Sequence, residues 1–106
     1  MASRIITAAV EDIFAYWQQV MDKPRAKLTP GRKTKVAARL ENYSVADIKQ
    51  AILGCRATPW NMGQNPQGTL YNSLEFICRN DEQVERFIET AFASPSRRFG
   101  ENPEHI

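Results

Sequence analysis

Seven basic side chains stand in one short run of this chain. Lys23, Arg25, Lys27, Arg32, Lys33, Lys35 and Arg39 lie between Asp22 and Glu41 with no acid among them. The whole chain has fourteen Lys and Arg against twelve Asp and Glu, a net charge of +2, so with +7 in this window the other residues sum to −5. Cations at that density suit a polyanion, because each one set against a phosphate releases condensed counterions. A solvated helix face behind a basic loop is the other reading of the same charges.

A second group surrounds Trp60. The ring is followed by Asn61, Met62, Gln64 and Asn65, which join a large flat apolar face to amide donors and acceptors. That combination serves to stack on bases or to anchor a protein partner. Trp60 and Met62 are expected to plug their loop onto the helices, with Asn61, Gln64 and Asn65 left as candidates for exposed contacts.

Catalytic chemistry finds no constellation. The sequence has no Gly-rich phosphate loop, no serine nucleophile elbow and a single histidine, His105, near the C-terminus. Glu11-Asp12 and Asp81-Glu82 fall at expected helix starts, where the helix dipole accounts for them. Cys55 and Cys78 form no CxxC pair, so buried reduced thiols are expected, with no metal site and no cofactor. The expectation is a non-enzymatic binding protein with no catalytic residue.

The elements that would position these residues read as helices. Val10, Ile13, Phe14, Trp17 and Val20 or Met21 share one face of a first helix over about 7–21, with Thr7 as its cap and Asp22-Lys23-Pro24 as its end. Thr29 caps a second helix over about 30–41, with Pro30 as its first residue. Its inward stripe is Val36, Ala37 and Leu40, and Arg32, Lys35 and Arg39 run beside it. Ser44 and Asp47 open a third helix carrying Val45, Ile48, Ile52 and Cys55, with Gly54 as its stop. Residues 56–69 punctuate a long loop that holds Trp60. Thr69 is expected to cap a fourth helix with Leu70, Leu74 and Ile77 inward, and a fifth carries Val84, Phe87, Ile88 and Ala91.

No stretch alternates as a strand does, so the fold class is all-α: a small compact domain of about five helices over 1–93, with a solvated tail over 94–106. Apolar runs fall short of the roughly 18 residues a membrane span needs, and the N-terminus has acids where a signal peptide would be apolar. The chain therefore reads as cytoplasmic, with no membrane partner. Oligomeric state does not follow from the sequence.

In order, IFAYWQQVM, KLTPGRKTKVAARLENYSVADIKQAILGC, PWNMGQ and TLYNSLEFICRNDEQVERFIE resemble the C-terminal helical domain of phage and prophage replication proteins of the replisome-organiser kind. The match spans about residues 13–90. It rests on Trp17, Leu28, Thr29, Pro30, Arg32, Lys33, Leu40, Tyr43, Asp47, Ile48, Ile52, Trp60, Leu70 and Phe87. Those proteins commonly carry an N-terminal winged-helix domain that does not precede the module here, so this is a free-standing protein or an excised domain, and their origin-recognition role is not carried over. The resemblance implies a part in phage DNA replication or takeover of the host replisome. Two modes of action follow: binding DNA with little sequence preference through the 23–39 cations, or gripping a host protein, a helicase, its loader or a defence protein, with the Trp60 loop as anchor.

Overall fold

Val10, Ile13, Phe14, Trp17 and Met21 all turn inward from α1 (Ala2–Val20) and the turn that follows it. The structure is a computed structural model that describes residues 2–93; the tail 94–106 and His105 lie outside the described residues. The helix begins at Ala2, so Thr7 is an interior residue and not a cap. Asp12 consequently sits mid-helix and pairs with Lys49 at 3.1 Å. The exit is made by Asp22 in a left-handed conformation, φ 56°, with the Lys23 amide donating to the Gln18 carbonyl. The Gln18 side-chain amide then reaches the carbonyls of Lys23, Pro24 and Ala26, which fixes the path of the basic loop.

Helix α2 (Pro30–Arg39) starts as expected, with Thr29 Oγ1 accepting from the Arg32 amide at 3.2 Å and Pro30 at the first position. Helix α3 (Val45–Arg56) opens with both arms of a capping box between Ser44 and Asp47. Gly54 does not stop it. That glycine lies inside α3 because a Cβ there would stand 1.8 Å from the Phe87 carbonyl oxygen, so the two helix backbones meet at this point. The partner helix is α5 (Asp81–Phe92), capped by Asn80.

The fourth helix differs most from expectation. Helix α4 is a single turn, Leu74–Ile77, capped by Ser73. Thr69 caps nothing; its amide and carbonyl are both taken by the Asn65 side chain. Leu70 is not inward but 52% exposed, paired with Met62 in an isolated antiparallel bridge. A short 3-10 turn, Pro59–Asn61, precedes it.

Five α-helices thus surround one core among the described residues. Val36, Ile48, Ala51, Ile52, Leu74, Ile77, Val84 and Phe87 complete it with both cysteines. Each large side chain withdrawn from water there contributes roughly 1.5–3 kcal/mol before the entropy of ordering is subtracted. Trp17 satisfies its indole N–H on the Asn72 carbonyl at 2.9 Å. No helix among the described residues is long and apolar enough to cross a membrane.

Candidate functional site

The basic window does not act as one surface. Arg32 lies half-buried against the core, its guanidinium 5.1 Å from the centre of the Trp17 ring, 2.9 Å from a Glu75 carboxylate oxygen and 2.7 Å from the Lys27 carbonyl. Arg39 is turned the same way and pairs with Asp81, which also accepts from Asn42 at 2.8 Å. Two of the seven cations therefore clamp α2 to α4 and to the start of α5. Positions 32 and 39 border the inward stripe closely enough to be drawn to the carboxylates across it.

Five cations remain available. Arg25, Lys27, Lys33 and Lys35 are exposed and Lys23 is half-buried, and among the described residues none of them forms an ion pair. Lys33 and Lys35 stand about 160° apart around the α2 axis, on its two shoulders. Lys33 flanks a cleft of about 320 Å³ between α1 and α2, where Val10, Leu28 and Ala37 form apolar walls and Glu11 supplies an acid. The Arg32 bond to the Lys27 carbonyl ties the basic loop to the N-terminal end of α2. That end has no acid in its first turn, so the helix dipole adds to the positive field there.

The acid that receives Arg32 is tuned by it. Burial raises the Glu75 carboxyl, but hydrogen bonds from Arg32 and backbone, with the Arg32 charge, outweigh it and leave its pKa below the ordinary value of 4.5. The Tyr43 phenol goes up, through burial first and then the nearby charges of Glu85 and Asp81. Burial alone pushes the Cys55 thiol to about 12, and Cys78 reaches about 12 for the same reason. Both are free buried thiols, as the sequence suggested, and at neutral pH they are not nucleophiles. Among the described residues no group of three His, Cys, Asp or Glu side chains is placed to hold a metal ion.

Around Trp60 the outcome reverses the expectation. The ring does not plug the loop onto the helices; it is 53% exposed. Asn61, expected outside, is 8% exposed and donates to the Tyr71 carbonyl at 3.0 Å. Asn65 spends its amide inside the loop on the carbonyls of Trp60 and Thr69. Met62 is half-buried, with Asn72 Nδ2 3.6 Å from its sulfur, and Gln64 is exposed. The polar residues hold the turn, and the ring is what the turn presents.

Beside that ring runs an open groove of about 490 Å³, walled by Tyr71, Phe76, Gln83, Arg86, Phe87 and Thr90 as well as Trp60. Sequence reasoning missed its α5 wall. The signal was present in the spacing of Gln83, Arg86, Phe87 and Thr90, which marks a flank beside the buried stripe. No protein-family model, curated protein or solved structure matches this chain.

Proposed function

We propose that this chain is an accessory module of phage DNA replication that binds nucleic acid, with little sequence preference, and acts by binding rather than catalysis. The observation that carries the reading is the set of five cations, Lys23, Arg25, Lys27, Lys33 and Lys35, without carboxylate partners among the described residues, on one loop and the helix it enters. Arg32 and Arg39 belong to the framework in this reading and drop out of the interface. The likeness of residues 13–90 to replication-protein domains supports the biological setting.

Five phosphate contacts on a duplex give a log–log dependence of affinity on salt with a slope of magnitude about 4 to 5. Fluorescence anisotropy with a labelled duplex across a salt series measures it. Reversing Lys23, Arg25, Lys27, Lys33 and Lys35 to Glu together should weaken binding by about a hundredfold or more at low salt while circular dichroism stays unchanged. Affinity indifferent to those five reversals would refute the reading. In that case a stoichiometric host protein retained from nuclease-treated lysate would support the partner-gripping mode.

A further inference from the structure

The groove beside Trp60 holds the most unmet chemistry outside the basic segment. Its walls are aromatic: Tyr71, Phe76 and Phe87 follow one another at centroid separations of 6.1 and 6.2 Å, and the exposed Trp60 ring forms the rim. Two amide side chains are set into it, Asn61 and Gln83, the latter only 2% exposed. Each donates inward, Asn61 to the Tyr71 carbonyl and Gln83 to the Phe76 carbonyl at 3.4 Å. Neither side-chain oxygen accepts a hydrogen bond from any described residue. Among the described residues no carboxylate lies within ion-pair distance of Arg86 at the edge, and the Arg79 guanidinium stands 5.4 Å over the Phe76 ring.

We infer that this groove binds a short segment of a partner polypeptide carrying a large apolar side chain next to a single carboxylate. The apolar side chain lies on Trp60, Tyr71 and Phe76. The carboxylate pairs with Arg86. Backbone N–H groups of the segment meet the Asn61 and Gln83 oxygens, since an extended peptide rises about 3.3 Å per residue and turns every second N–H to the same edge. A phosphodiester chain fits less well. Its backbone has no N–H donors, and its repeated charges would be carried over Glu82 and Glu89, the exposed neighbours of Arg86 on the same helix. This site uses no residue of the 23–39 segment and is additional to nucleic-acid binding.

The test pans the full chain against a random short-peptide library displayed on phage. Selected sequences are then synthesised and titrated by fluorescence anisotropy. The expected peptides share a Phe, Trp, Tyr, Leu or Ile beside one Asp or Glu. Trp60→Ala and Arg86→Glu should each weaken their binding by about tenfold or more, with Arg86→Lys in between. Both residues are exposed, so thermal melts of the variants should match the parent. Four results would overturn the inference: no enrichment, selected peptides without a carboxylate, binding indifferent to both substitutions, or a Trp60-dependent site occupied by oligo(dT) instead. Light scattering that shows self-association lost in Trp60→Ala would assign the groove to a second copy and overturn it equally.

Discussion

Identical charges in one window have been given different work, and the neighbouring residues decide which. Arg32 falls where α2 turns toward Trp17 and Glu75, while Lys35, three positions on, is exposed. The Glu75 carboxyl records the difference. Its folded pKa lies below 4.5, so the unfolded chain takes up this proton first as the pH falls. The stability it contributes is therefore complete above about pH 4.5 and is lost as the pH drops through the lower folded value. Glu75→Gln should flatten the acid limb of a urea-unfolding series below pH 4.5 while Lys35→Ala leaves that limb unchanged. Equal acid limbs in parent and Glu75→Gln would show that the Arg32 contact carries no weight. The carboxylate is partly exposed, so the effect is modest and sensitive to salt.

The elements were legible wherever a periodic stripe ran beside a local cap. Thr29-Pro30, the Ser44–Asp47 box and the helix start at Asp81 all stand as the sequence indicated, because each start is capped by atoms within three residues. Gly54 misled because its small size serves a tertiary contact, the approach of α3 to the Phe87 carbonyl, which no local pattern encodes. Thr69 misled because the Asn65 side chain took its backbone groups, leaving Ser73 to cap α4. The candidate sites were legible only as positions: those of Arg32, Arg39, Asn61 and Asn65 were readable, but their partners lie on other elements or across the loop. Gly54→Ala measures the tertiary term directly. The added methyl meets backbone and not a flexible side chain, so a loss of about 2–3 kcal/mol in urea unfolding is expected. A neutral outcome would mean that α3 and α5 are less closely seated. Since Phe87 also lines the Trp60 groove, the same substitution should weaken peptide binding there.

At the scale of the whole molecule, the two proposed surfaces differ in charge. The loop and α2 offer cations that form no ion pair among the described residues, whereas the exposed side of α5 carries Glu82, Glu85 and Glu89 around Arg86. Helix α4 separates them, with Glu75 held by Arg32 on one side and Phe76 lining the groove on the other. The two sites should therefore titrate independently: Trp60→Ala should leave the salt slope for duplex DNA unchanged, and the five charge reversals should leave peptide affinity within about twofold. Coupling larger than that in either direction would argue for one continuous surface. The two tryptophans are the only indoles in the chain, one 1% exposed beneath Arg32 and the other half open to solvent. Their fluorescence separates by colour and by access to an aqueous quencher, so a single unlabelled sample can report melting of the interior through Trp17 and arrival of a guest through Trp60.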